Sequence, residues 1–384
     1  MRLHSFLDQK PLFYDVIDYA RMPRVYARIA SQIKIPKIIH VVGTNGKGTT
    51  GRFLAQMLTT FGLHVGHYSS PHIECFNERI WIDGILVNDA VLENAHMHLL
   101  GLLEPEEAHS LSYFEYTTLL CMLIFSLKCD YVVLEAGLGG EYDATNVFPK
   151  ILSIITPIGY DHQAFLGESI EAIASTKLNS ITTDFILARQ KEMAVDALAK
   201  HTAESSHVNM VSVDSFLDEK CTKSISSYAS HRGYPSFLQE NLRTAVAALT
   251  FLGYDINLDS IDLMTLQGRY ELFLPNVRVD VGHNPMAARA LLEAVGLKKV
   301  ILVYNSYADK EVALILEILR PIIERLEIIP IESSRAMKHS DLVFIAQNLG
   351  LDVRLHEKTD PAKEYVVFGS FSVVEAFRKG QRER

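Results

Sequence analysis

The chain has 384 residues, 48% of them hydrophobic and 22% charged, with a formal net charge of −9. These are the proportions of a globular protein with room for two cores, and the negative balance excludes the broad cationic face that nucleic-acid binding requires. No apolar run approaches the roughly 18 residues that span a bilayer, charges fall within Met1–Lys10, and the four cysteines lack C-x-x-C spacing, so a cytoplasmic protein with reduced thiols and no membrane partner is expected.

In chain order, the β-branched run Ile38-Ile39-His40-Val41-Val42 predicts a buried parallel strand at 37–42. Gly43-Thr44-Asn45-Gly46-Lys47-Gly48-Thr49 follows it, and apolar residues at helical spacing predict a helix over 48–61. Strand, glycine-rich turn and helix form a phosphate cradle: backbone N–H groups and the helix N-terminus face the anion, and a lysine reaches the outer phosphates. An ordinary tight turn is the competing reading, and three glycines, two threonines and a lysine together argue against it. ATP binding is the inference. The cradle departs from G-x-x-x-x-G-K-[ST], with Val42 in place of the first glycine and Gly48 in place of the hydroxyl that would hold Mg²⁺. The metal must therefore find its protein ligands elsewhere.

Further strands are predicted at 64–68, 130–135, 151–156 and 184–188, alternating with helices at 89–102, 114–128, 168–179 and 191–202. That alternation predicts a doubly wound, mostly parallel α/β sheet. Tyr131-Val132-Val133-Leu134-Glu135 ends in a carboxylate at the sheet's carboxyl edge, where nucleotide-bound Mg²⁺ usually meets its protein ligand. Ser70 after the second strand offers a hydroxyl, and Asp161-His162 after the fourth repeats the strand-then-ligand theme. Phe76-Asn77-Glu78-Arg79 sets an acid beside a guanidinium, suited to an anionic substrate or to internal pairing.

Segment 204–236 is polar and reads as irregular or edge structure leading to a helix at 239–252. A second alternating series follows, with strands at 276–281, 299–304, 326–331 and 364–369 and helices at 285–295, 310–322 and 340–348. It predicts a smaller Rossmann-like α/β domain. The expected division is 1–260 and 266–384, with the hinge between Gly253 and Gln267. In Asp280-Val281-Gly282-His283-Asn284-Pro285, Asn284 and Pro285 read as the start of a helix, leaving Asp280 and His283 at a strand end for chemistry.

These segments together resemble the folylpolyglutamate synthase/dihydrofolate synthase branch of the Mur ligase superfamily. The likeness rests on GTNGKGTT at 43–50, YSSPH at 68–72, FNERI at 76–80, YFEY at 113–116, LEAGLGGEYDATN at 134–146, DH at 161–162, GRYE at 268–271, DVGHNP at 280–285 and VFGS at 367–370. The resemblance implies an ATP-dependent amide ligase. A substrate carboxylate takes the γ-phosphate, and the amino group of L-glutamate then displaces phosphate from the acyl phosphate. Dihydropteroate or a reduced folate is the implied acceptor, ATP and two Mg²⁺ ions are the implied cofactors, and a monomer is expected.

Position by position, the resemblance implies that Thr44, Asn45, Gly46, Lys47, Gly48 and Thr49 bind ATP, with Asn241, Arg269, Asp280 and His283. Ser70, Glu135 and His162 would hold metal, and Lys47, Glu135, His162 and Lys177 would carry the catalysis. Lys177 matches a lysine that becomes carbamylated in the family; read without the resemblance it is a solvated helix lysine. Arg79, Ser112, Phe114, Asp143 and Ala144 would meet the substrate. The chain departs from the family's pattern at Thr176-Lys177-Leu178-Asn179-Ser180, at Val281-Gly282, and at Gln267, which replaces a proline. Competing readings are another Mur-type ligase acting on a different carboxylate, and a binding module that hydrolyses ATP without ligation.

Overall fold

The apolar runs fold as strands whose side chains are buried on both faces. In a computed structural model of the chain, residues 2–11 and 18–382 are described; Met1 and residues 383–384, the outermost ends of the expected spans, lie outside them. The chain divides into two units, Met1–Tyr228 with Glu240–Met264, and Ala229–Gln239 with Thr265–Arg384.

The first unit carries β1 (Lys37–Val42), β2 (Val65–Tyr68), β3 (Ile80–Ile82), β4 (Ile85–Leu86), β5 (Tyr131–Glu135), β6 (Leu152–Ile155), β7 (Phe185–Leu187) and β8 (Met210–Ser212). Their order in the sheet is β4-β3-β2-β5-β1-β6-β7-β8. From β2 to β8 the pairing is parallel, and β3 and β4 close one edge antiparallel. The edge hairpin was not predicted, because strands of three and two residues are too short to show an alternation. The first strand sits in the middle, with Val41 opposite Glu135 of β5 and Val42 opposite Ile155 of β6. Consequently the loops after β2, β5, β1 and β6 leave the same edge side by side, where α/β sheets bind ligands.

Helices bury apolar stripes against this sheet. Lys47–Thr59 buries Phe53, Leu54, Met57 and Leu58. Tyr113–Ser126 is buried on all sides from Tyr116 to Phe125, inside the larger apolar cluster. In Ile170–Leu178 the buried residues are Ile170, Ile173, Ala174, Lys177 and Leu178, one helical stripe that includes a lysine.

The polar segment read as irregular contains a 13-residue helix, Glu219–His231. Its buried residues Ile225, Tyr228 and Ala229 keep helical spacing but make a stripe too narrow to stand out among serines and lysines. The longer helices Arg21–Ile29 and Phe371–Arg382 were also not predicted, nor were short ones such as Leu3–Leu7 and Pro105–Ser110.

The second unit has β9 (Glu271–Leu274), β10 (Val277–Asp280), β11 (Val300–Tyr304), β12 (Ile323–Ile328), β13 (Val353–Leu355) and β14 (Tyr365–Phe368), ordered β13-β12-β11-β14-β10-β9. Only β9 runs antiparallel to its neighbour. Helix Pro285–Val295 begins as the residues dictate: Asn284 accepts from the N–H of Ala287 at 2.8 Å, and Pro285 stands at the first turn. Among the described residues no helix is long and apolar enough to cross a membrane.

Candidate active site

The phosphate loop leaves β1 under two backbone constraints that only glycine meets. A Cβ on Gly43 would lie 2.0 Å from Oγ1 of Thr156, and Gly46, at φ +87, would place one 2.4 Å from Oδ1 of Asn241. The loop is tied to the segment after β6. The N–H groups of Thr44 and Asn45 donate to the Pro157 carbonyl at 3.0 and 3.3 Å, and the Thr44 hydroxyl donates to the Gly159 carbonyl at 3.1 Å. Helix Lys47–Thr59 opens directly behind it, with Gly48 and Thr49 buried in its first turn.

Two lysines converge on one oxygen of this loop. Lys47 Nζ donates to the carbonyls of Gly43 and Thr44 at 3.3 and 3.2 Å, and Lys177 Nζ donates to the same Gly43 carbonyl at 3.0 Å. Lys177 is 4% exposed, so the solvated-lysine reading does not hold. Burial, then the charge of Lys47, pulls its pKa from 10.5 to about 7.

Glu135 ends β5, one strand from the loop, with its side chain buried. Its Oε2 accepts from the Ser70 N–H at 3.1 Å, so the tips of β2 and β5 meet at this carboxylate. On the other side of β1, Asp161 Oδ1 accepts from the His162 N–H at 2.9 Å, and His162 takes a left-handed backbone at φ 53. Glu135 and Ser70 offer hard oxygen donors of the kind Mg²⁺ prefers, and His162 adds a borderline nitrogen.

Beyond β5, the glycine-rich turn wraps around Asp143. Its Oδ2 accepts from the N–H groups of Gly137 and Leu138 at 2.9 and 2.8 Å, and its Oδ1 from the N–H of Thr145 at 2.9 Å and from the Thr145 hydroxyl. Ala144, buried, follows it. Burial raises the Asp143 pKa, while all four donors favour the ionised form. Beside this turn lies a cavity of about 360 Å³ lined by Tyr19, Met22, Tyr26, Tyr142, Asp143 and Asn146.

The remaining first-unit candidates sit on the adjacent helix and the β2–β3 connection. Ser112 caps helix Tyr113–Ser126 by accepting from the Glu115 N–H at 3.1 Å. Phe114 stands 6.0 Å from the Tyr68 ring. Arg79, 7% exposed, donates from Nε to Nδ1 of His72 at 2.8 Å, with its guanidinium 5.4 Å from the Tyr113 ring. That bond requires a neutral imidazole.

In the second unit, Asp280 anchors the turn that carries Arg269. Its oxygens accept from the N–H groups of Tyr270 and Gly282 at 2.9 and 2.7 Å. Arg378 of the last helix donates to Glu271 at 2.6 Å and to Gln267 at 3.1 Å, so the residue replacing the family's proline contributes a side-chain tie. Arg269 lies 4.9 Å from the Phe371 ring, and His283 Nδ1 is 3.1 Å from the Val281 carbonyl.

Comparison with known proteins bears on what this arrangement is. No family model matches the chain. It is 32% identical over 344 residues to dihydrofolate synthase/folylpolyglutamate synthase of Haemophilus influenzae, across 80% of this chain and 78% of that one. The chain belongs to the dihydrofolate synthase/folylpolyglutamate synthase family. Among solved structures, the folylpolyglutamate synthetase of Helicobacter pylori superposes with a TM-score of 0.80 at 39% identity, covering 100% of this chain and 98% of that one. A bifunctional folylpolyglutamate synthase/dihydrofolate synthase with Mn, AMPPNP and L-glutamate bound gives a TM-score of 0.84 at 25% identity, over 100% and 98% of the two chains.

Sequence reasoning missed Thr156, whose hydroxyl forbids a side chain at Gly43, and the tyrosines of the cavity. Their only signal was position: Thr156 follows a buried strand, and Tyr142 adjoins Asp143.

Proposed function

We propose that this protein is an ATP-dependent amide ligase that joins L-glutamate to dihydropteroate and to reduced folates. The observation that carries the reading is the convergence of Lys47 and Lys177 on the Gly43 carbonyl, one strand from the buried Glu135. The Lys47 cation and the loop's N–H groups suit a polyphosphate, the strand-tip carboxylate suits the metal that accompanies it, and Lys177 stands within reach of both.

The loop N–H groups and Lys47 bind the triphosphate of ATP, with Thr49 opening the helix beneath it. Ser70, Glu135 and His162 are the residues that would hold Mg²⁺; when bound, the metal neutralises charge on the phosphates as the γ-phosphoryl group moves. The acceptor's carboxylate attacks the γ-phosphorus and ADP leaves. The glutamate amine then attacks the acyl phosphate, forming the amide and releasing phosphate. The protein makes no covalent bond to either substrate; its part is positioning and the exclusion of water from the acyl phosphate.

Lys177 is assigned the carbamate. Carbon dioxide adds only to an unprotonated amine, releasing a proton, and a pKa of about 7 leaves about half of this amine unprotonated at pH 7. The product is an acid buried beside the phosphate loop. The loop around Asp143 and Ala144, with Phe114, Ser112 and Arg79, is assigned to the acceptor. Asp143 and Ser112 act by holding the local backbone, since their oxygens are engaged there. Asn241, Arg269, Asp280 and His283 are assigned to ATP. The reading places the enzyme in the cytosol, in keeping with four free cysteines.

The test is ADP release from ATP with dihydropteroate, with and without L-glutamate, followed by mass spectrometry. Release dependent on both, with a product heavier by one glutamyl unit, is expected. Release indifferent to both would sink the proposal. A second assay with tetrahydrofolate as acceptor tests the folate arm.

A further inference from the structure

Lys150 is a half-buried lysine that no step above uses, and it stands at the end of a directed chain of hydrogen bonds. Its Nζ donates to the Ser180 carbonyl at 2.8 Å, to Oδ1 of Asn146, and to Nδ1 of His40 at 3.4 Å. His40, fully buried in β1, has its Nε2 2.8 Å from the Thr145 hydroxyl. The direction of each bond follows from the groups. Both Asp143 oxygens only accept, so the Thr145 hydroxyl gives its proton to Oδ1 and must itself accept from His40. His40 is therefore the neutral Nε2–H tautomer, with a bare Nδ1 turned to the Lys150 cation. Asp143, at the far end, holds the Gly137–Leu138 backbone. The Ser180 hydroxyl donates to the Lys177 carbonyl at 2.7 Å, so Lys150 also reaches the end of the Lys177 helix.

We infer that Lys150, His40 and Thr145 are positioning residues that act through Asp143 to hold the Gly137–Ala144 loop against the pteroyl substrate. This rests on the assignment of that loop to the acceptor. A connected network whose His40, Thr145 and Asp143 are buried fixes one geometry, and a loop displaced by about 1 Å loses on the order of 100-fold in rate. Lys150 lies outside every segment that carries the family resemblance. Its role comes from reaching the strand, the loop and the helix end at once.

The experiment compares K150M, T145V, T145S, D143N and K150M/D143N in the dihydropteroate assay, with thermal melting of each. K150M and T145V should raise KM for dihydropteroate roughly 10-fold or more, leaving KM for ATP within about twofold. T145S keeps the hydroxyl and should restore the wild-type value. The double variant should fall no further than D143N alone, because Lys150 acts through Asp143. Wild-type KM in K150M and T145V while D143N is impaired overturns the inference. Unchanged KM in D143N refutes instead the assignment of the loop to the acceptor. Should K150M and T145V fail to fold, imidazole ¹⁵N spectra of the wild-type protein decide: His40 as the Nδ1–H tautomer breaks the chain.

Discussion

Replacing Lys177 with methionine is expected to strengthen the fold at low pH and weaken it slightly at high pH. The amine's pKa falls from 10.5 to about 7 on folding, chiefly through burial. At about 1.36 kcal/mol per unit, bringing the charged form inside costs on the order of 5 kcal/mol, an upper figure because the site relaxes. Between pH 7 and 10.5 the unfolded chain holds this proton and the native one releases it, so stability rises with pH across that window. Below pH 7 both states are protonated and the full cost applies; above 10.5 neither is, and it vanishes. Methionine escapes that cost and fills similar volume. It gives up a hydrogen bond to the Gly43 carbonyl, to which Lys47 still donates, at about 1 kcal/mol. The net gain is at most about 4 kcal/mol at pH 6, or roughly 8–16 °C in Tm for a unit of this size. At pH 10.5 the variant should melt roughly 2–4 °C below wild type. Calorimetry at pH 6, 8 and 10.5 in carbonate-free buffer reads the difference, and ligase activity should be lost throughout. A variant less stable than wild type at every pH would refute the buried-amine reasoning.

Glu135→Gln keeps shape and removes a charge, so turnover should drop at least about 100-fold with little change in melting; wild-type activity would remove Glu135 from the metal set. Lys177→Ala should be inactive and partly rescued by acetate, and full activity without rescue would exclude a buried acid at that position. Gly46→Ala forces a Cβ toward Oδ1 of Asn241 in a left-handed backbone, costing roughly 1–2 kcal/mol from conformation alone. Urea denaturation should show that loss, with a raised KM for ATP, and Asn241→Ala in the same chain should recover part of the stability. If it recovers none, the contact is not what makes Gly46 necessary.

Much of the first sheet was legible because its parallel strands announce themselves. The expected 37–42 matches β1 to the residue, and β2, β5, β6 and β7 fall within one or two residues of expectation. Buried parallel strands leave continuous apolar runs, and the helices between them leave stripes. Segments that bury little were harder. The short edge strands carry too few residues to print a period and helix Glu219–His231 too narrow a stripe, whereas helix Arg21–Ile29 sets Met22, Val25, Tyr26 and Ile29 at helical spacing and was legible though not predicted. Strand β12 was placed three residues late, since Ile328-Ile329-Pro330-Ile331 is as apolar as the Ile323–Ile328 segment that pairs.

Lys177 shows how a site residue can be readable and still be misread. Weighed alone, a lysine in a helix is solvated; weighed by phase, it stands seven residues after Ile170 and four after Ile173, on the stripe that packs inward. A cation on that stripe either breaks the helix's packing or lowers its own pKa. Here it lowers its pKa, and its amine ends at the phosphate loop. The same logic failed for Lys150 because its partners do not share a helix or strand with it. His40 lies 110 positions away and Ser180 lies 30. No periodicity links such residues; only the sheet order, which sets β1 beside β6, brings them together. Residues whose role is fixed by their own element can be found from spacing, whereas those that brace one element against another become visible only once strand order is known. Asp143 belongs to both groups: its motif marks the loop, but only its four donors reveal that it works by holding that loop's backbone in place.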